Sequence, residues 1–346
     1  MAVREPMTNE PLHRVGEDTT ARARIIAALQ EFERLPQNRF TTVRDDVTGP
    51  IVDALHASIP IVRKELSNGL VFEFLYRSKI ARDFVMSRPE KPDHVWEPQT
   101  TKLLLHLAGT VTDVIVGGAY FGDQAIPIAN ALRERGTCHA FEADAVQASM
   151  IERNASINNL DNVRVNALGL WSQPATLRLV GHDALAGAAE SETGIAATTI
   201  DAYARGLGIR IGLIMLDLEG GELHALHGAS EQLARNAPYV VFEVHRSYVD
   251  WSRGLHNTEI VQFLSSLGYS ILAIRDFQSN YDLAGRPVEL VPIETAYLDG
   301  PPHGFNLFAF RDRAVLENEL FRIVPNVSPK LLFHRDPKLH HPTGGL

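Results

Sequence analysis

The amino-acid sequence predicts an α/β fold, a mostly parallel sheet with helices on both faces, preceded by a helical N-terminal module. Three observations point there. From about residue 111 onward, short apolar runs alternate with helical stretches, as in parallel strands joined by crossover helices. The strand runs, such as "VIV" at 114–116 and "LIML" at 213–216, are apolar throughout, as strands covered on both faces require. The first of them breaks into a turn with glycines at 117, 118 and 122 before a helix begins.

Each element follows in order. Residues 1–18 are polar and aperiodic and read as a loose tail. Thr19 and Thr20 are candidate caps for a helix in which Ile25, Ile26, Leu29, Phe32 and Leu35 recur at helical spacing. Amphipathic runs near 50–65 and 69–86 add two more helices, so residues 19–94 form the N-terminal module. The prolines and charges of "SRPEKPDHVWEPQ" (87–99) mark its boundary. The main domain, 95–312, reads as strand 112–118, helix 122–134, strand 137–142, helix 145–158 and strand 162–169. Strand 211–219, a helix to about 236, strand 238–244, helix 256–267 and strand 269–275 complete the alternation. The apolar run "FNLFAFR" (305–311) has no crossover helix after it and is expected to run antiparallel at the sheet's end. Residues 313–346 are a C-terminal extension with a polar close.

Composition bounds the function. The chain has 346 residues, 45% hydrophobic and 22% charged, enough for a sizeable core. Its net charge of −9 disfavours non-specific binding to nucleic acid phosphates. The N-terminus lacks the apolar core of a signal peptide, and no later segment is long and apolar enough to span a bilayer, so a cytoplasmic protein is expected. The lone Cys138, in a buried-strand pattern, reads as a small core residue.

The glycine turn lets a ligand approach the main chain closely and places a helix N-terminus behind it. Glu142, in "HAFEAD", stands twenty residues after Gly122 at the end of the next strand, where a carboxylate can accept hydrogen bonds from the two hydroxyls of a ribose. Turn and acid together specify a nucleoside-bearing cofactor. A dinucleotide fold prefers G-x-G-x-x-G, and Ala119 occupies the middle glycine's position, which counts against a nicotinamide cofactor.

In order, "VGGAYFGDQ", "FEAD", "TTIDAY", "IMLDLEGGELHALHGA" and "VVFEVH" resemble the FkbM family of S-adenosylmethionine-dependent methyltransferases over roughly residues 95–275, the D-x-E-G-x-E element being the specific part. The resemblance implies a Rossmann-like class I methyltransferase sheet of seven strands, the last antiparallel. It also implies S-adenosylmethionine as cofactor, its methionine portion held by Gly118, Ala119 and Gly122 and its ribose by Glu142. The implied transfer is to a hydroxyl oxygen of a sugar, glycan or polyketide-type small molecule. Three positions depart from the family pattern: Val116 replaces an acid that would grip the cofactor's amino group, Tyr120 replaces an Asn, and Met215 replaces a Lys. Asp123 is the candidate substitute for the missing acid.

Methyl transfer to an alcohol needs the acceptor positioned and its proton removed. Asp217 ends the fourth strand, and Glu243 and His245 end the fifth; His245 and Asp217 are the catalytic candidates, His245 because its pKa lies near neutrality. Asp217, Glu243 and His245 could converge on Mg²⁺, but no metal site is expected. Glu219 and Glu222 suit a helix N-terminus. His224 and His227 read as a surface helix face, and His334, His340 and His341 as a solvated tail. Trp96 and Tyr76 read as packing residues with a lid over the acceptor as the alternative. A nicotinamide-dependent oxidoreductase and a catalytically silent nucleoside-binding module are the competing functions. Oligomeric state is left open.

Overall fold

A computed structural model describes residues 10–38, 42–180, 187–277, 279–282, 285–298 and 304–331. The N-terminal part holds helices α1 (Glu10–Glu17), α2 (Thr19–Glu33) and α3 (Gly49–His56), strands β1 (Ile61–Glu65) and β2 (Val71–Leu75), and helix α4 (Lys79–Val85). Two expectations are corrected here. The tail expected to residue 18 is helical from Glu10, and α2 is capped by Asp18, whose Oδ1 accepts from Thr20 N (2.8 Å) and Ala21 N (3.0 Å), rather than by Thr19 or Thr20. The amphipathic runs at 50–65 and 69–86 each contain a strand as well as a helix, and β1 and β2 pair as an antiparallel hairpin. Its turn holds Asn68 and Gly69, the latter at φ +86°, the conformation that favours Asn-Gly in hairpins.

The main sheet is built from β3 (Asp113–Gly117), β4 (Thr137–Phe141), β5 (Val163–Asn166), β10 (Leu213–Leu216), β11 (Tyr239–Val244), β12 (Ser270–Ile274), β13 (Val288–Pro292), β14 (Phe305–Phe310) and β15 (Phe321–Ile323), and the strands between β5 and β10 form a separate small sheet. The strand order is β15-β13-β12-β14-β11-β10-β3-β4-β5. Strands β5, β4, β3, β10 and β11 run parallel to one another, and β14 is antiparallel to both β11 and β12, as expected for 305–311. Among the described residues this sheet has nine strands where seven were expected: β13 and β15 widen the edge beyond β12, β15 coming from the C-terminal extension.

Helices α5 (Pro98–Ala108), α6 (Ala125–Leu132) and α7 (Ala145–Ile157) cover one face, and α8 (Ile200–Leu207), α9 (Glu222–His227), α10 (Ser230–Asn236) and α11 (Glu259–Ser266) the other. The strand pleat divides the core accordingly: Val114, Val116, Leu213 and Met215 join the first face, Ile115, Ile214, Leu216 and Phe242 the second. Cys138 is a fully buried core residue. The small sheet, β6 (Gly169–Leu170), β7 (Ala175–Val180), β8 (Gly187–Glu190) and β9 (Ile195–Thr198), stands between β5 and α8 in the order β6-β9-β7-β8.

The N-terminal hairpin is tied to the main domain through two side-chain amides of α7. Asn154 accepts from Glu73 N (2.7 Å) and donates to Glu73 O and Phe121 O (both 2.9 Å). Asn158 treats Val71 in the same way, accepting from its N and donating to its O. A fully buried amide with all these bonds satisfied is costly to replace. Through Phe121 it also fixes the glycine turn.

Candidate active site

The chain order reverses direction across the sheet between β3 and β10, the place where open parallel sheets bind ligands. Gly118 (φ +74°), Tyr120 (φ +47°) and Gly122 (φ +95°) form the turn that leaves β3 there. At Gly118 the requirement for glycine is steric: a Cβ would stand 1.7 Å from Asp217 O at the tip of β10. The turn is held against β4 by Gly118 N and Ala119 N, both donating to Phe141 O at 3.0 Å. Helix α6 begins at Ala125, not at 122, because Gly122 through Gln124 complete the turn.

Glu142 is part of the same construction. Its Oε2 accepts from Tyr120 N and its Oε1 from Asp144 N, both at 2.8 Å. Each oxygen keeps a further lone pair for a ligand hydroxyl. Burial pushes its pKa up to about 7 against the pull of those backbone donors. A cleft runs from here between the strand tips. Its wall includes Phe141, Glu142, Leu170, Trp171 and Leu177 at one side, with the last three supplied by or beside the small sheet. Gly118, Val116, Met215 and Asp217 lie along it, and Ile80, Trp96 and Glu97 complete it. All three departures from the family pattern, Val116, Tyr120 and Met215, are therefore in the cleft wall, and Val116 and Met215 are register partners on adjacent strands.

Asp217, Glu219 and Glu243 gather at the tips of β10 and β11, with one carboxylate oxygen of each within 4.8 Å of the others. Crowding and burial raise all three: Asp217 to about 6, Glu219 to about 8, both mainly by burial, and Glu243 well above the carboxylate range, through burial and then the charge of Asp217. Three oxygens are about half of what a hard divalent ion takes, so the group fits such an ion only with water or substrate completing the shell. His245 is not in this group and does not line the cleft; its Nδ1 accepts from Ser247 N at 3.1 Å.

The remaining candidates separate clearly. Glu222 ties the loop after β10, accepting from Leu218 N (2.7 Å) and Gly220 N (3.0 Å). His224 stacks on Trp171 at 3.9 Å between ring centroids and His227 packs edge-on against Phe263, so the two do not form a metal pair. Tyr76 donates to Asp53 and stacks on His56, away from the cleft, whereas Trp96 lines it. His334, His340 and His341 lie outside the described residues. Sequence reasoning missed Glu97. It is 7% exposed, has φ +45°, and its Oε2 accepts from Asn306 Nδ2 at 2.7 Å. Its partners, Asn306 and the nearby Asp276 and Lys330, are remote in the chain, so no local signal announces it.

Residues 117–271 match the methyltransferase FkbM domain, within the stretch that carries the sequence resemblance. Similar solved structures include a methyltransferase FkbM from Methylobacillus flagellatus KT (14% identity, TM-score 0.36), a putative O-methyltransferase from Klebsiella pneumoniae (16%, 0.35) and an O-methyltransferase from Bacillus cereus in complex with SAH (15%, 0.35). The matches cover 57%, 62% and 62% of this chain, and 43%, 79% and 81% of those chains. The chain thus spans less than half the length of the Methylobacillus protein. No curated protein matches it. Among the described residues no helix is long and apolar enough to cross a membrane.

Proposed function

We propose that this chain, whose residues 117–271 match the methyltransferase FkbM domain, transfers a methyl group from S-adenosylmethionine to a hydroxyl of a small-molecule or glycan acceptor. The observation that carries this reading is the bond from Tyr120 N to Glu142 Oε2, which locks the glycine turn and the second-strand acid onto one cleft. The residues present fit the cofactor. Of the three turn residues expected to hold the methionine portion, Gly118 lines the cleft and Ala119 and Gly122 do not; Glu142 retains acceptor capacity for ribose hydroxyls, and Leu170, Trp171 and Leu177 offer an apolar wall to a purine base. When bound, S-adenosylmethionine supplies an electrophilic methyl group on a sulfonium centre.

The chain's own residues then hold the acceptor and take its proton. Asp217 and Glu219 stand in the cleft wall with Glu243 behind them. A carboxyl group raised to about 8, as at Glu219, is a stronger base when ionised than an ordinary carboxylate, which suits removal of a hydroxyl proton once the pH approaches 8. His245 lies outside the wall, so this reading gives the proton to the carboxylates and keeps His245 as the alternative acceptor. Calorimetry with S-adenosylhomocysteine and with NADH tests the proposal. Binding of the first and none of the second is expected; the reverse would replace the methyltransferase with a nicotinamide enzyme. Binding without transfer across a broad panel of hydroxyl acceptors would favour a silent binding module.

A further inference from the structure

We propose that Glu97 is the anionic partner of the α-ammonium group of the sulfonium cofactor, an inference that rests on the cofactor reading above. An ammonium taken out of water needs a negatively charged, hydrogen-bonding partner. The end of β3 offers none, because Val116 and its register partner Met215 make that stretch of wall apolar. The cleft's other acids are committed. Glu142 receives two backbone N–H groups, and Asp144 caps α7 by accepting from Val146 N (2.7 Å) and Gln147 N (3.2 Å). Asp123 is engaged by the backbone N–H groups of its own turn, and Asp217 and Glu219 are grouped with Glu243.

Glu97 is different because another residue has taken over its local task. It occupies the N-cap position of α5, yet its side chain makes no cap bond. Asp276 caps that helix instead, receiving Gln99 N (3.1 Å) and Thr100 N (2.7 Å). The Glu97 carboxylate is thereby released into the cleft, held by Asn306 through Oε2, while its Oε1 accepts no hydrogen bond among the described residues. A left-handed backbone at a non-glycine residue is kept only where the surroundings enforce it. Glu97 also lines the same cleft as Glu142, Gly118 and Asp217, so its carboxylate faces the space the ligand would fill. Burial, together with the charges of Asp276 and Asp217, raises the Glu97 pKa well above the carboxylate range despite Lys330 and Asn306, and an incoming cation reverses that penalty.

The test compares two ligands by calorimetry: S-adenosylhomocysteine, which carries the amino-acid tail, and methylthioadenosine, which lacks it. Glu97→Gln is expected to weaken S-adenosylhomocysteine by on the order of 10- to 100-fold, the worth of a hydrogen bond between charged groups, and to leave methylthioadenosine within about twofold. Retained methylthioadenosine binding also proves that the variant folds. Equal losses for both ligands would assign Glu97 a purely structural role and overturn the proposal, as would no loss for either. A tail-selective loss in Asp123→Asn with Glu97→Gln unaffected would move the ammonium to Asp123. If the wild-type chain binds neither ligand, the cofactor reading itself falls, a result distinct from all of these.

Discussion

Gly118→Ala separates the steric demand of the turn from its backbone conformation. Two costs arise from the structure. The residue has φ +74°, where an L side chain costs about 1–2 kcal/mol. Its new Cβ would also stand 1.7 Å from Asp217 O, and that gap has to open to at least 3.0 Å. Such a shift pulls on Asp217 N→Gly117 O and Gly118 N→Phe141 O, both 3.0 Å now, and loss of one or two such bonds adds about 1–2 kcal/mol. The sum is about 2–4 kcal/mol of stability. Gly69→Ala is the control, since Gly69 has φ +86° with nothing within 4 Å of its new Cβ and incurs only the first cost. Urea unfolding measures both variants, with the slope checked for constancy. Calorimetry with S-adenosylhomocysteine should then show at least a tenfold loss for Gly118→Ala, about 1.4 kcal/mol of misplacement, and none for Gly69→Ala. If Gly118→Ala proved as stable as Gly69→Ala and bound the ligand normally, the close approach of β3 to β10 would not be what shapes this site.

Three further outcomes are expected. Glu142→Ala strands the donors of Tyr120 and Asp144, costing about 1–3 kcal/mol for each, and weakens S-adenosylhomocysteine and methylthioadenosine alike; unchanged affinity would remove Glu142 from the ribose. Burial lifts the folded-state pKa values of Glu142 and Glu219 to about 7 and about 8 from the ordinary 4.5, so the native state holds protons that the unfolded chain has released. Stability of the ligand-free protein therefore falls as pH rises from about 4.5 to 8, read as a declining Tm, and a rise over that window would contradict the burial of these acids. Methyl transfer should be undiminished by EDTA; a loss restored by Mg²⁺ would show that Asp217, Glu219 and Glu243 hold a metal ion.

The sheet was legible where strands are covered on both faces, because β3, β10 and β11 are continuous apolar runs separated by helical stretches. Legibility failed where that condition lapses. "IVRKE" and "VFEFL" form a hairpin with one face toward α7, and the charged residues within it resemble a helical period. Strands β6 to β9 have two to six residues and include alanine-rich segments such as "GAAE" and "IAAT", too weak a pattern to register. In the site, the turn and Glu142 could be read because they lie on consecutive strands at a fixed spacing. The grouping of Asp217 with Glu219 and Glu243, to the exclusion of His245, depends on how two strand tips and a left-handed Glu219 turn their side chains. Glu97 depends on Asp276 and Asn306, some 180 and 210 residues away, and only folding brings them together.

The most direct measurement is a crystal structure of the protein soaked with S-adenosylhomocysteine. The ribose hydroxyls are expected on Glu142, the purine against Leu170 and Trp171, and the amino-acid tail passing Gly118 toward Glu97. A molecule seated outside this cleft, or inside it with no contact to Glu142, would contradict the assignment of the glycine turn and its paired acid to one nucleoside ligand.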